Sequence, residues 1–426
     1  MGSSSSPWYL KNMVKAPAGS LPLLVTALVN RMGTIGLTLI PALLVQHQLS
    51  ATTSSWIMTT SRIGMILGTL FSGWIVDQKG PKQTLLWALI LSSIGLFALP
   101  LVTQAPLLAF FALVAQGGNA MYPSSMRLLL VRLVDGESQQ KVALGWVRMV
   151  NNLGQVVSYG IGALAGGWGL IPLFWLDSAT GIISAKYAAA KIPAKAENLV
   201  TQVNGPVLWW DPTSLFRQSI RSQQERLKTA LGLGALGMGF SFFYDLFMIS
   251  SAARLSQELG PDGVSWFSLT MLTNTALCAL LAVKATRIFI YPERVIPLAV
   301  FFAFLANWIC FGTIPDCSQG MLYSTFIAIL VLTGAELAFF ATSTFALLQW
   351  IPKSPYQGRI HSLLVLLQVT GRLIAASISF PVILQGDQTL VRITLTSILT
   401  LMAAITLWVY PRVKRGVPTI KHPDLS

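Results

Sequence analysis

Charged residues are scarce in this chain, since Asp, Glu, Lys and Arg make up only 10% of its 426 residues while 54% are hydrophobic. The mean hydropathy is correspondingly high, at +0.64. A water-soluble protein of this length cannot cover so much apolar surface, so the composition predicts a polytopic membrane protein embedded in a lipid bilayer. The net charge of +14 does not by itself indicate nucleic-acid binding, and no nucleic-acid partner is expected.

Cysteine and histidine are also scarce, with three of each. The cysteines form no CxxC pair and the histidines are far apart, so neither a disulfide framework nor a metal cluster is expected. The sequence contains no HExxH, GxSxG or GxxxxGK[ST] motif. We therefore expect no enzyme, no ATP-driven pump, no cofactor and no metal.

What the chain has instead is a series of twelve long apolar segments, most of them long enough to cross a bilayer. These segments predict an all-α fold of twelve transmembrane helices. They lie near residues 20–46, 52–77, 84–103, 105–134, 141–166, 168–190, 228–257, 264–286, 293–314, 319–350, 359–385 and 388–411.

Basic residues are concentrated in alternate connections between these segments. Lys79 and Lys82 lie in one such connection, whereas the stretch Gln46–Ser50 has none, and Arg254 and Arg392 are the exceptions to the pattern. By the positive-inside rule, both termini are expected in the cytoplasm, and the number of spans is expected to be even. A bacterial inner membrane is the expected location.

The longest polar stretch lies in the middle of the chain and contains several prolines, a tryptophan pair and many charges. It predicts a cytoplasmic linker over residues 191–227. The linker would separate an N-terminal six-helix bundle, residues 1–190, from a C-terminal six-helix bundle with a cytoplasmic tail, residues 228–426.

A short charged turn, Gly73–Lys82, joins the second and third apolar segments. It contains a glycine, three apolar residues, an aspartate, a second glycine and a basic residue, at Gly73, Asp77, Gly80 and Lys82. This pattern resembles the signature loop of the major facilitator superfamily, although Gln78 and Pro81 stand where that motif has basic residues. In a drug/proton antiporter, a proline would follow Gly160 and an arginine would replace Leu113.

The resemblance implies the fold of this superfamily, with substrate bound near the midplane between two six-helix bundles and alternating access by a monomer. It also implies that Gly73, Asp77, Gly80 and Lys82 form a conformational latch on the cytoplasmic side. The resemblance is to a bacterial branch similar to drug/proton antiporters, from whose motifs the chain departs at Leu113 and after Gly160.

Three acidic residues fall inside apolar segments: Asp177 in the sixth, Asp245 in the seventh and Glu336 in the tenth. A charge at this depth is costly and usually has a partner or lines a wet cavity. A carboxyl held between burial and a nearby arginine can load and release a proton. We therefore interpret these acids as candidates for proton or ion coupling, with fixed structural ion pairs as the alternative.

Four arginines also fall inside the segments, and arginine binds carboxylates and phosphates through a bidentate fork. The interior therefore favours an anionic or zwitterionic substrate, unless each arginine is neutralised by a neighbouring acid or by helix-end carbonyls. Interhelical hydrogen bonding is the alternative role for the amides among the candidates. The candidate substrate-binding residues are Asn30, Arg31, Arg62, Arg148, Asn152, Tyr244, Gln368 and Arg372.

The sequence thus predicts a secondary transporter that exports a small amphipathic or anionic solute, such as a metabolite, a siderophore or a drug, in a proton-coupled cycle. Its partners would be the small-molecule substrate, protons and the bilayer. Uptake of a nutrient or a metal chelate is the alternative within the same class. A non-transporting membrane receptor or a membrane enzyme is the alternative from another class.

Overall fold

The structure is a computed structural model that describes nine stretches of the chain. They are residues 16–17, 19–135, 137–165, 169–193, 224–288, 292–312, 318–350, 357–379 and 388–416. Most of the predicted linker, 191–227, lies outside the described residues.

The described residues form fourteen α-helices and no strand, which confirms the all-α prediction. A 3-10 turn, Leu99–Leu101, extends α5, and a π-helical turn, Trp308–Gly312, extends α11. The helices are α1 Leu21–Arg31, α2 Ile35–Thr38, α3 Ile40–Gln46, α4 Ala51–Lys79, α5 Pro81–Ala98, α6 Ala105–Leu133, α7 Glu137–Ala165, α8 Ile171–Lys191, α9 Gln224–Leu259, α10 Pro261–Ile288, α11 Pro292–Asn307, α12 Ser318–Trp350, α13 Gln357–Ile378 and α14 Gln388–Gly416.

Judged by length and apolar composition alone, four of the described helices could cross a membrane: Pro81–Leu101, Gly234–Leu259, Asp262–Leu281 and Leu322–Phe340. Helices α4, α6 and α7 are just as long but carry polar side chains. Most of the buried polar residues face other helices, where they are shielded from lipid. The twelve predicted segments each match one helix, except the first, which the structure divides into α1, α2 and α3.

The division of the first segment has a local cause. Pro41 occupies the first turn of α3, where its missing N–H and fixed backbone angle favour a new helix start. Gly33 and Gly36 lie beside α8, and a Cβ atom at Gly36 would come within 3.1 Å of the Asp177 carboxylate. The small residues thus let α8 approach the backbone at the break.

Helices α1 to α8 pack mainly on one another, as do α9 to α14, which gives two groups of six predicted segments. The groups meet where α4 packs on α13 and α7 packs on α10, with a smaller contact between α3 and α9. We call this surface the seam. We call the end of the molecule at the turn between α4 and α5, which carries Lys79 and Lys82, the basic end, and the end where α4 begins the opposite end.

The outward surface of the helices is strongly apolar. Large hydrophobic side chains such as Trp87, Phe97, Leu280 and Leu407 are half exposed or more. In water such a surface would promote aggregation, whereas in a bilayer it contacts acyl chains. The exposure pattern therefore fits a multi-pass membrane protein.

Candidate functional site

The tightest ionic contact in the described residues crosses the seam. Arg62 of α4 places Nη2 2.7 Å from Oδ2 of Asp245 on α9, and the side chains are only 9% and 6% exposed. Arg372 of α13 lies on the other side of the same carboxylate, with Nε 4.0 Å from Oδ1. Two guanidinium groups thus share one carboxylate, which leaves one positive charge without an acidic partner in this cluster.

Burial of this cluster follows from the aromatic residues around it on α9. Phe242 and Phe243 are fully buried beside Asp245, which excludes water from the carboxylate. Charges attract more strongly where water is excluded, and each depends more on its partner. Removing one member of a buried pair typically costs about 3–5 kcal/mol, because the other charge is left uncompensated.

A second, looser ionic contact crosses the seam between α7 and α12. Nη2 of Arg148 lies 3.9 Å from Oε1 of Glu336, with side-chain exposures of 18% and 12%. The same nitrogen donates to the Glu336 backbone carbonyl at 3.4 Å, and the guanidinium carbon lies 4.5 Å from the ring centroid of Phe340. The arginine is therefore held by a carbonyl and an aromatic face as well as by the carboxylate.

Glu336 has a neutral partner in the neighbouring helix. Nδ2 of Asn274, on α10, donates to Oε2 of Glu336 at 3.1 Å. The Asn274 carbonyl oxygen accepts in turn from Thr333 at 2.8 Å and from the Cys278 thiol at 3.6 Å. This chain of hydrogen bonds fixes the amide so that its donor points at the carboxylate.

An aromatic cluster adjoins both ionic contacts. Phe240 stacks on Phe339 with ring centroids 4.1 Å apart, and Tyr244 lies 6.0 Å from Phe240. Phe340 packs edge-on against both phenylalanines. The cluster places aromatic rings of α9 and α12 beside the charged groups.

Small polar residues join the seam nearer the opposite end. The Ser55 hydroxyl of α4 donates to the Ser377 carbonyl of α13 at 3.1 Å, and the Thr59 and Ser377 hydroxyls lie 3.3 Å apart. Between α7 and α10, a Cβ atom at Gly162 would come within 2.8 Å of the Ser268 hydroxyl. The two halves are thus in close contact on this side of the ionic groups.

Three other predicted residues lie within the first half rather than at the seam. Asn30 and Asp177 line a small polar void between α1, α5, α6 and α8. The Arg31 guanidinium lies 5.3 Å from the ring centroid of Tyr122. The structure therefore separates Asp177 from the two other candidate acids.

Asn152 and Gln368 lie on α7 and α13, the helices that carry Arg148 and Arg372. Asn152 is buried on α7, and its Nδ2 has no hydrogen-bond partner among the described residues. Gln368 of α13 packs against Gly237 of α9, where a Cβ atom would lie 3.1 Å from its Nε2. Their expected contact with substrate stays a prediction.

The turn at the basic end is very tight. Gly80 ends α4 and begins α5, and its φ of 88° lies in the region that favours glycine. Lys82 donates to the Ile192 carbonyl, just beyond α8, at 2.7 Å. Gly73 is buried, and the side chain of Asp77 lies outside the described residues. The turn thus ties α5 to the end of α8 within the first half.

Family comparison identifies the chain. The family model described as Major Facilitator Superfamily matches residues 23–376. The chain belongs to the major facilitator superfamily. The family assignment based on the turn at Gly73–Lys82 is therefore confirmed. No curated protein sequence matches the chain.

Solved structures of other transporters share the fold. A POT family transporter in complex with 5-aminolevulinic acid has a TM-score of 0.70 at 16% identity, over 93% of this chain and 97% of that one. The xylose transporter XylE from E. coli, in a partially occluded inward open conformation, has a TM-score of 0.61 at 12% identity, over 96% and 100%. A bacterial homologue of the iron transporter ferroportin, outward-facing with soaked iron, has a TM-score of 0.59 at 16% identity, over 93% and 98%. At identities this low, the structural likeness shows that the chain and these transporters share a fold.

Several polar residues at the seam of this superfamily member were not predicted from the sequence. Asn274 was the easiest of them to predict, because an amide inside an apolar segment usually makes an interhelical hydrogen bond. Ser55, Thr59 and Ser377 gave no comparable signal, since serine and threonine are common in membrane helices and often bond to their own backbone.

Proposed function

We propose that this superfamily member is a secondary transporter that works by alternating access and exports a small amphipathic or anionic solute in exchange for protons. The observation that supports this proposal is the ionic cluster of Arg62, Asp245 and Arg372. It joins both halves from positions near the middle of α4, α9 and α13, and it carries one positive charge more than its carboxylate neutralises. Transporters of this superfamily bind substrate near the midplane between the halves, which supports the proposal.

The extra arginine favours an anionic substrate. Arg62 is the closer partner of Asp245, at 2.7 Å against 4.0 Å for Arg372. The Arg372 side chain is also the more accessible, at 30% exposed. A guanidinium with free donors is the group that binds a carboxylate or phosphate in two parallel hydrogen bonds. We therefore assign Arg372 the role of the first anchor for the substrate's charge.

Proton coupling is assigned to the carboxylates at the seam. A carboxylate that gains a proton loses most of its attraction for arginine. Protonation of Glu336 or Asp245 would therefore weaken a contact that holds the two halves together. A ligand shifts a two-state equilibrium only through such a difference between the states. Substrate and proton would thus act on the same seam.

Counterflow in proteoliposomes tests this function. Liposomes are loaded with unlabelled solute, and uptake of the labelled solute is followed for aromatic carboxylates and phosphates and for neutral and cationic compounds of the same size. We expect exchange of the anions, loss of exchange in Asp245→Asn, and flux against a gradient when protons are supplied on the destination side. Exchange of the cations alone would contradict a site for anionic substrates. Flux that does not change when a proton gradient is imposed would contradict proton coupling.

The turn formed by Gly73, Asp77, Gly80 and Lys82 is proposed as the latch of the first half. Gly73 is buried and Lys82 bonds to the end of α8, so the turn connects three helices. Gly73→Leu is expected to reduce transport at least tenfold with normal insertion into the membrane. Lys79→Gln, in the same turn but outside the motif, is the matched control. Equal flux in Gly73→Leu and wild type would count against the latch.

A further inference from the structure

A small polar void lies inside the first half, at the break in the first membrane segment. It has room for about one water molecule. Its polar lining comes from five neutral side chains and one carboxyl group, which belong to Asn30, Thr34, Ser92, Asn119, Tyr122 and Asp177. Hydroxyl, amide and carboxylate oxygens therefore surround a space of atomic size.

The carboxyl group in this void has no direct basic partner. Asp177 is 6% exposed, and its Oδ2 accepts a long hydrogen bond, 3.4 Å, from the Leu37 backbone N–H. Among the described residues, no Lys or Arg nitrogen forms an ion pair with it. A buried carboxylate that pairs directly with no cation is unfavourable, and Arg31 lies over the Tyr122 ring without forming an ion pair with Asp177, so a proton or a bound cation would stabilise this group.

A second buried group in the void also lacks a partner. Tyr122 is 3% exposed, and its hydroxyl has no hydrogen-bond partner in the described part of the chain. A buried hydroxyl without a hydrogen bond is unfavourable, because it has lost its bonds to water. A proton on Asp177 would only neutralise the carboxyl group, whereas a cation in the void would also contact the phenol oxygen of Tyr122.

The local backbone makes the site possible. Gly33 and Gly36 lack side chains where α8 passes, which lets Asp177 approach the segment between α1 and α3. Interrupted membrane helices are places where transporters coordinate small cations with oxygen ligands. The guanidinium of Arg31, over the Tyr122 ring, already supplies one positive charge nearby. That charge disfavours a divalent ion, which also normally requires more than one carboxylate.

We propose that this void binds one Na⁺ ion, with Asp177 as its charged ligand and oxygens of Asn30, Asn119 and Tyr122 in its coordination shell. The site lies within one half and away from the seam. It is therefore distinct from the proposed substrate site and from the proton-coupling carboxylates there. Na⁺ would join α1, α6 and α8 at the break.

Ion binding to the purified full-length chain in detergent tests the site. The melting temperature is measured while NaCl replaces choline chloride at constant ionic strength, and bound ²²Na⁺ is measured by equilibrium dialysis. A saturable rise in melting temperature with Na⁺ is expected, since a ligand that binds only the folded state stabilises it. Li⁺ should compete with ²²Na⁺, and K⁺ should compete poorly. No bound ²²Na⁺ in the wild type would overturn the proposal.

Variants separate ion binding from a structural role. Asp177→Asn should lose Na⁺ binding, and Tyr122→Phe, which keeps the ring beneath Arg31, should weaken it several-fold. Asp245→Asn is the matched control, because it removes a buried acid at the seam and should keep the wild-type Na⁺ response. If Asp177→Asn does not fold, weaker Na⁺ binding in Tyr122→Phe and Asn119→Ala tests the site instead.

Three outcomes would refute the site: an unchanged Na⁺ response in Asp177→Asn, an unchanged response in Tyr122→Phe, or stabilisation by acid in place of Na⁺. The last would show that Asp177 simply binds a proton. None of these results depends on transport. Absence of counterflow with intact Na⁺ binding would refute the proposed function alone.

Discussion

The two ionic contacts across the seam differ in distance, burial and neighbours. Arg62 and Asp245 are 2.7 Å apart and almost inaccessible, while Arg148 and Glu336 are 3.9 Å apart and more exposed. The first carboxylate has two arginines and the second has one arginine and one neutral amide. The first contact thus has the geometry of the stronger connection between the halves. The second has the geometry of the weaker connection, which breaks more easily.

The largest expected effect comes from removing the charge of Arg62. Arg62→Met should lower the free energy of unfolding by on the order of 3–5 kcal/mol, because Asp245 is left buried with only the more distant Arg372. Asp245→Asn in the same chain should restore most of this stability without restoring transport. Thermal unfolding and counterflow measure the two properties. A double variant whose loss of stability equals the sum of the losses in Arg62→Met and Asp245→Asn would show that the pair is not coupled.

The next effect concerns Glu336 and the pH dependence of transport. Glu336→Gln keeps the shape of the side chain and its partner Asn274 but cannot titrate. Counterflow at equal pH on both sides should vary with pH in the wild type and become flat in this variant. Asp177→Asn is the comparison variant, because it removes a buried acid away from the seam. An unchanged pH profile in Glu336→Gln would exclude Glu336 as a proton carrier.

Removing the charge of Arg372 should have a selective effect on the substrate. With Arg62 still matched to Asp245, the cluster in Arg372→Gln becomes neutral. The KM for an anionic solute should rise about tenfold, which is a typical loss for one charge-assisted hydrogen bond. A neutral analogue of the same size should be affected little. Arg372→Lys keeps the charge but loses the planar fork of donors, so its KM for the anionic solute should lie between those of the wild type and Arg372→Gln. Equal losses for anion and neutral analogue would contradict the assignment.

The smallest effect is expected at Phe340, whose ring faces the Arg148 guanidinium. A cation–π contact of this kind contributes about 0.5–1 kcal/mol at an exposed site. Phe340→Leu should therefore change transport by about two- to fivefold and should shift the pH profile less than Glu336→Gln does. Phe340→Tyr, which keeps the ring, is the matched control. Identical behaviour of the leucine and tyrosine variants would show that the ring face is unimportant.

Much of the fold was predictable because lipid imposes a simple requirement on the sequence. Each segment must be long and mostly apolar, and the positions of the helices followed from that alone. The turn at Gly73–Lys82 identified the family because its glycines and charges have fixed spacing. The break in the first segment was harder to predict, although Gly33, Gly36 and Pro41 together were a signal that the helix would be interrupted.

The site was predictable in its members but not in its pairings. Arg62, Asp245 and Arg372 were predictable because a charge in a membrane segment is costly, so it usually has a partner or a function. Which residues meet depends on how α4, α9 and α13 pack, and hydropathy carries no information about that packing. The separation of Asp177 from the other acids, inside one half, could not be derived from the sequence for the same reason.

The contact between α4 and α6 has a consequence for the position of Arg62. A Cβ atom at Gly64 would lie 2.9 Å from the Cα atom of Leu113, and one at Gly68 would lie 2.9 Å from the Cα atom of Gly117. With main chain against main chain, a side chain at either glycine would push the two helices apart. The placement of Arg62, two residues from Gly64, therefore depends on two positions that have no side chain at all.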